Sequence, residues 1–197
     1  MKKIVLFGIF FLSGCGQLPS PSDYTGQDSD GILQVVWRVG PELNCGSGFV
    51  ITYNGKDYLC TAAHVVSEKG GILELRYADG KPVPFSAGLP YLQAGNDFAL
   101  FSLMNLPANV KRWAVASARV QEKTQAIGYA NGENKTKREG VASKVTMEIS
   151  APIESGMSGG IVIQDGKAVG IIINQIVRTG QTTSEAVVLE NALEGLR

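Results

Sequence analysis

From Gly31 onward, apolar and polar positions fall into short runs separated by turn residues. Ile32 to Val39 is rich in β-branched and aromatic residues, Ile72 to Tyr77 alternates before a turn at Asp79-Gly80, and Phe98 to Leu103 is another strand-like run. Gly48 to Thr52 and Asp57 to Thr61 flank Asn54-Gly55, a dipeptide that accepts the positive φ angles of a two-residue hairpin turn. That turn pairs Tyr53 with Lys56 and so places Cys60 opposite Phe49. Leu106-Pro107-Ala108-Asn109 reads as a connector. A second series follows, predicted as strands over Arg112 to Ala116, Thr124 to Tyr129, Gly140 to Ser150, Gly160 to Gln164, Ala168 to Asn174 and Thr183 to Val188. Leu189, Leu193 and Leu196 then recur at helical spacing, which predicts a short C-terminal helix. Many short strands with regular turn signals indicate an all-β barrel or sandwich.

The first thirty residues have a different character. Met1-Lys2-Lys3 and the apolar run Ile4 to Leu12 have the form of an export signal, and the run is too short to span a bilayer. Leu12-Ser13-Gly14-Cys15 resembles the bacterial lipobox, in which cleavage precedes the cysteine and lipid is attached to its thiol. Residues 1–14 are thus expected to be a signal peptide. Residues 15–30 are expected to be the lipidated Cys15 and a flexible tether, polar and rich in Ser, Pro, Asp and Gly. The chain has 197 residues, 44% hydrophobic and 18% charged, enough for one domain or two small ones with a real core. Basic and acidic residues balance at 18 each, so no basic stripe points to nucleic acid.

Three segments carry candidate chemistry. Glu154-Ser155-Gly156-Met157-Ser158-Gly159-Gly160 sets a serine among glycines, which permit a tight turn and a close backbone approach to a substrate. Thr61-Ala62-Ala63-His64 contains the single histidine, and Asn96-Asp97-Phe98-Ala99-Leu100 supplies an acid. A serine hydroxyl is a weak nucleophile until a base takes its proton, and imidazole is suited to that work near neutral pH. The order His, Asp, Ser excludes the α/β-hydrolase arrangement, which runs Ser, acid, His. One histidine and scattered cysteines do not make a zinc ligand set, and no metal or cofactor is expected.

Together the three segments resemble the signature motifs of the chymotrypsin/trypsin-like serine peptidases, in the order of that family. The likeness extends to Gly46-Ser47-Gly48-Phe49-Val50-Ile51 and Ala168-Val169-Gly170-Ile171-Ile172, and runs from about residue 31 to the C-terminus. It implies an all-β fold of two six-stranded antiparallel Greek-key barrels, with the active site in the cleft between them and a short C-terminal helix. Residues 31–107 would form the N-terminal barrel and residues 108–197 the C-terminal barrel. It also implies a catalytic triad of His64, Asp97 and Ser158, with the backbone N–H groups of Gly156 and Ser158 as oxyanion donors. Pro152, Ile173, Asn174 and Gln175 would line the substrate pocket.

Several departures from the family pattern shape the expectation. Met157 stands where many relatives carry an aspartate that pairs with a new N-terminus, so no activation of the trypsinogen kind is expected and the site should form directly on folding. Pro152 replaces the acid of trypsin-like specificity, which leaves a preference for Arg or Lys unsupported. Glu154 is read as a rim residue. Asn174 and Gln175 would narrow the pocket toward small or uncharged side chains, and Ile173 replaces a serine that often supports the aspartate. Cys45 occupies a position that bridges in many relatives, but their partner position is Val65 here. The hairpin register puts Cys45 four residues beyond Phe49, too far to bridge Cys60, so two buried free thiols are expected.

The expected function is that of an exported, lipid-anchored serine endopeptidase of the bacterial cell envelope, monomeric, cutting polypeptide through an acyl-enzyme. A catalytically silent binding module of the same fold, or an esterase using the same triad, are the alternatives.

Overall fold

The computed structural model describes residues 30–93, 96–132, 134–143, 147–150, 152–178, 181–194 and 196. The Asn54-Gly55 hairpin has the predicted register, with Tyr53 opposite Lys56 and Phe49 opposite Cys60. Its two turn residues take φ of 50° and 74°. It joins β2 (Glu42–Tyr53) to β3 (Lys56–Ala62). β1 (Ile32–Val39), β4 (Ile72–Arg76), β5 (Ser86–Gln93) and β6 (Phe98–Met104) complete a six-stranded antiparallel sheet in the order β4-β1-β2-β3-β6-β5. The second unit contains β7 (Lys123–Ala130), β8 (Asn134–Ser143), β9 (Met147–Ile149), β10 (Ile161–Gln164), β11 (Lys167–Arg178) and β12 (Gln181–Val188). These close into a barrel in the order β10-β11-β12-β9-β8-β7. The expected all-β architecture of two six-stranded antiparallel units is present.

The strands at the centre of the chain bury both faces. On β2, Phe49 and Ile51 enter an apolar layer shared by the two units, while Val50 enters the interior of the first. On β6, Phe98 and Leu100 face the shared layer, and Ala99 and Phe101 face inward. β10 repeats this in the second unit, with Ile161 and Ile163 in the shared layer and Val162 inside the barrel. Two-sided burial explains why these stretches read as unbroken apolar runs. The helix α1 (Leu189–Glu194) adds Leu189 and Leu193 to the shared layer. Each large apolar side chain buried there contributes about 1.5–3 kcal/mol.

Four expectations need correction. Arg112 to Ala116 is not a strand but a strap with two single bridges, Trp113 to Ile51 and Val115 to Ala168, so its hydrogen bonds are divided between the two units. Gly140 to Ser150 is not one strand, because the chain reverses and β9 returns against β8, with Ile149 opposite Ala142. The strand β5 was not predicted, since Gly88 and Pro90 interrupt its alternation; its pairing with β6 shifts register between Ala87 and Pro90. Cys60 is a free, fully buried thiol whose pKa burial raises. Cys45, by contrast, is half-buried, lies opposite Val36 and is disulfide-bonded. The register argument excluded Cys60 as its partner and nothing more.

The export signal, Cys15 and most of the tether lie outside the described residues. No helix among the described residues is long and apolar enough to cross a membrane. Asp30 anchors the start of β1. Asp30 Oδ1 accepts from the Ile32 N–H at 3.0 Å and from Lys135 Nζ at 2.9 Å, and its C=O accepts the Trp113 indole N–H at 2.9 Å.

Burial pushes the Lys135 ammonium down to about 8 from an ordinary 10.5. Between those two values the unfolded chain holds a proton that the native protein has released, so stability rises with pH across that window. Unfolding by urea from pH 8 to 10 is expected to show this rise relative to Lys135→Met; parallel pH profiles would contradict it.

Candidate active site

The ladder between β3 and β6 sets Ala62 opposite Phe98, which brings the residues just beyond the two strand ends together. His64 follows β3 in a 3-10 turn, Ala63–Val66, and Asp97 immediately precedes β6. Asp97 Oδ2 lies 2.7 Å from His64 Nδ1, and Oδ1 accepts the His64 backbone N–H at 2.9 Å. The Asp97 carbonyl also accepts the Ala63 N–H at 3.1 Å. Asp97 thereby holds both the ring and the backbone of the histidine. It does so from a left-handed conformation with φ of 51°, which aspartate tolerates better than most residues. A carboxylate on Nδ1 places the ring hydrogen there and leaves the Nε2 lone pair to accept a proton. Asn44 Nδ2 supports the turn by donating to the carbonyls of His64 at 3.1 Å and Val65 at 2.9 Å.

The serine loop is held in another way. Met157 is fully buried in the interior of the closed barrel, so the residue that cannot form an ion pair is an apolar anchor. The Gly159 N–H donates to the Ile172 carbonyl at 2.7 Å, and the Gly160 N–H to the Met157 carbonyl at 2.9 Å. Gly156 and Gly159 both take φ of +86°, the region that favours glycine. The Ser155 carbonyl accepts the Asn131 N–H at 2.6 Å. Among the described hydrogen bonds, neither the Gly156 N–H nor the Ser158 N–H is a donor, so both remain open to an incoming oxygen.

Ser158 Oγ donates to the Ile173 carbonyl at 3.3 Å, and no hydrogen bond joins it to His64 among the described residues. The pairing of β11 with β12 shifts register between Ile172 and Asn174, so Ile173 is a bulged residue whose carbonyl the ladder releases. The serine loop and the histidine turn both press on Gly46. A Cβ there would sit 3.0 Å from the Ser158 carbonyl oxygen and 2.7 Å from the Val65 side chain.

Of the predicted pocket residues, only Ile173 makes a hydrogen bond with the serine. Pro152, Asn174 and Gln175 are exposed, and Asn174 Oδ1 accepts the Gln175 N–H at 2.8 Å. Glu154 is half-buried and ion-paired with Arg138 of β8, as suits a rim residue. Sequence reasoning missed two residues that hold the site together, Asn44 and Ser47. The Ser47 N–H donates to the Ser158 carbonyl at 2.8 Å across the seam between the units. The signal for Ser47 is a polar residue between two glycines just before the apolar run Phe49-Val50-Ile51.

A Cβ on Gly159 would lie 2.0 Å from the Ser47 carbonyl oxygen and 2.4 Å from Thr61 Oγ1. Gly159→Ala is therefore expected to lower the unfolding free energy by about 3 kcal/mol or more, through strain and overpacking together. Gly166→Ala has a similar φ of +71° with open space around it, and should lose only about 1 kcal/mol. Equal losses in urea titrations would contradict the tight contact.

The profile of the trypsin-like peptidase domain matches residues 46–171, more than half of the chain. No match is found among curated proteins. Among solved structures, the chain is similar to the Rv3671c protease from M. tuberculosis in its active form, with a TM-score of 0.68 and 20% identity over 85% of this chain and 79% of that one. It is also similar to the inactive form of the Rv3671c protease, with a TM-score of 0.66 and 20% identity over 85% of this chain and 89% of that one. At this identity the structural likeness bears on the fold alone, whereas the profile match reaches from the glycine before Ser47 through the serine loop to β11. The chain therefore belongs to the family of trypsin-like peptidase domains.

Proposed function

We propose that this peptidase domain is a serine endopeptidase, with Ser158 as nucleophile, His64 as general base and acid, and Asp97 as the group that orients the imidazole. The observation that carries the reading is the double grip of Asp97 on His64, at 2.7 Å to the ring and 2.9 Å to the backbone N–H. In the first half-reaction Ser158 Oγ attacks the peptide carbonyl carbon while His64 Nε2 takes its proton. The carbonyl oxygen becomes an oxyanion facing the Gly156 and Ser158 N–H groups. His64 then gives the proton to the leaving amine, which departs as the C–N bond breaks. Water, deprotonated by the same imidazole, attacks the acyl-enzyme, and collapse releases the acid and restores Ser158. Asp97 stabilises the imidazolium in both halves. The attack requires Oγ to leave the Ile173 carbonyl for His64, and side-chain rotamer changes are fast on the scale of turnover.

The hydrogen bond from Ser158 to Ile173 favours a second reading, a domain that binds polypeptide without turnover. Labelling of the full-length protein with a fluorophosphonate separates the two. Rapid labelling is expected, lost in both Ser158→Ala and His64→Ala, and either change should lower kcat/KM on casein by roughly 10⁴-fold or more. Folded wild-type protein that neither labels nor cuts would support the binding module. Cleavage of aryl esters without cleavage of peptides would support the esterase.

The proposal extends to export and anchoring in a bacterial envelope through lipid on Cys15. Its support is the run Lys2-Lys3, Ile4 to Leu12, Leu12-Ser13-Gly14-Cys15 and the polar tether. The intact mass of the membrane-extracted protein tests this reading. A diacylglyceryl mass that disappears in Cys15→Ser is expected; an unlipidated Cys15 in the mature protein would refute the anchor.

A further inference from the structure

We propose that Ser47 is a positioning residue for the oxyanion site, a role that rests on the serine-peptidase reading of that site. Ser47 is fully buried on β2, in the first unit, yet its side chain reaches the serine loop of the second. All of its polar groups are engaged. Its N–H donates to the Ser158 carbonyl at 2.8 Å, and its carbonyl accepts the Thr61 hydroxyl at 2.7 Å. Its Oγ accepts the Tyr129 N–H at 2.7 Å and donates to the Gly156 carbonyl at 2.8 Å. The direction of the last bond follows from the others. A backbone N–H can only donate, so the Tyr129 contact occupies a lone pair and the one hydroxyl hydrogen goes to Gly156.

Gly156 is the point where the loop needs such a restraint. Glycine crosses between backbone regions with little steric resistance, so the peptides on either side of it can rotate unless something outside the loop holds them. Here both are held by their carbonyls. The Ser155 carbonyl takes the Asn131 N–H at 2.6 Å, and the Gly156 carbonyl takes the Ser47 hydroxyl. In a planar trans peptide the N–H points opposite to the C=O, so the Asn131 contact aims the Gly156 N–H away from β7. The Ser47 contact fixes the next peptide at its carbonyl, while the Met157 N–H of the same peptide donates to the Glu154 carbonyl at 3.1 Å, and together they close off rotation about Gly156. The fit is close, since a Cβ on Gly156 would lie 2.6 Å from the Tyr129 carbonyl oxygen and 2.7 Å from the Gly132 nitrogen. Ser47, Tyr129 and Asn131 thus form a brace from the first unit through β7 to the oxyanion donor.

The oxyanion exists in the transition state and not in the bound substrate, so a displaced donor lowers kcat and leaves KM nearly unchanged. Among the described hydrogen bonds Ser47 makes none to the His64 or Asp97 side chains, so the pH at which kcat/KM rises should not move.

The test uses the full-length protein, with Ser47→Ala and Ser47→Cys beside wild type. Turnover is measured on a quenched-fluorescent peptide taken from a cut site in casein and expressed per active site titrated with fluorophosphonate. Loss of the hydroxyl is expected to lower kcat roughly tenfold to a hundredfold, as misplacement of a catalytic group does, with KM and the pH profile unchanged. Ser47→Cys, with a weaker donor of similar size, should fall between. Thermal unfolding shows that assays are run well below each midpoint. Wild-type kcat in either folded variant would overturn the proposal, as would a fall in titratable sites alone at constant kcat. Failure of both variants to fold would also overturn it, by making Ser47 a folding residue. Wild-type protein that does not react with fluorophosphonate would instead sink the underlying peptidase reading, so the two failures are distinguishable.

Discussion

Phe49 and Ile51 point from β2 into the apolar layer between the two units, while Val50 between them points into the interior of the first. Burial on both faces fixes the strand in two directions at once. A rotation or a one-residue slip would exchange the two sets of side chains and leave the wrong shapes in both cores. The remainder of the site hangs on that rigidity. At one end of the apolar run, Ser47 is bonded to the Ser158 carbonyl. Through its ladder with β3, the same strand positions the turn that carries His64. Histidine and serine come from different units, and β2 is the element that sees both.

The serine loop shows how a mobile sequence can be made stiff. Five of the seven residues from Glu154 to Gly160 are Ser or Gly, at positions 155, 156, 158, 159 and 160, a composition that alone would predict disorder about the backbone. Its order comes from outside, through Met157 buried in the closed barrel and carbonyls bonded to Ser47 and Asn131. Gly159 is pressed so closely on Ser47 and Thr61 that a side chain has no room. The loop therefore presents two unused N–H groups on a surface that does not have to reorganise when charge develops, the condition under which such donors act most strongly. The bulge at Ile173 completes the surroundings, since a carbonyl that a regular ladder would occupy is turned toward Ser158.

Much of this was legible in the chain, and the part that was not has physical reasons. The hairpin register followed from Asn54-Gly55 because that turn type admits one pairing. The candidate triad follows from three motifs in order, and the fold brings His64 and Asp97 into contact. Strand β5 was hidden because edge strands tolerate the glycine and proline that erase a period-two pattern. The strap through Trp113 reads as a strand because Trp113 to Ala116 is a continuous apolar run, yet its partners lie in different units and no ladder forms. In the sequence Ser47 reads as part of a strand and not as part of the site. Its importance lies in long-range bonds to Tyr129 and Gly156, which no local pattern encodes. Cys45 was misjudged for a related reason: local register excludes a partner but cannot supply one.

The most direct measurement is a crystal structure of the protein with a peptide boronate that mimics the tetrahedral intermediate. The account predicts a covalent bond from Ser158 Oγ to boron, with Oγ released from the Ile173 carbonyl. One boron oxygen should accept from the Gly156 and Ser158 N–H groups, with the Ser47 and Asn131 contacts unchanged from those described here. A boronate bound without a bond to Ser158, or an adduct in which the Gly156 peptide has turned its N–H away, would contradict the central claim that a rigid β2 sets up the serine site before substrate arrives.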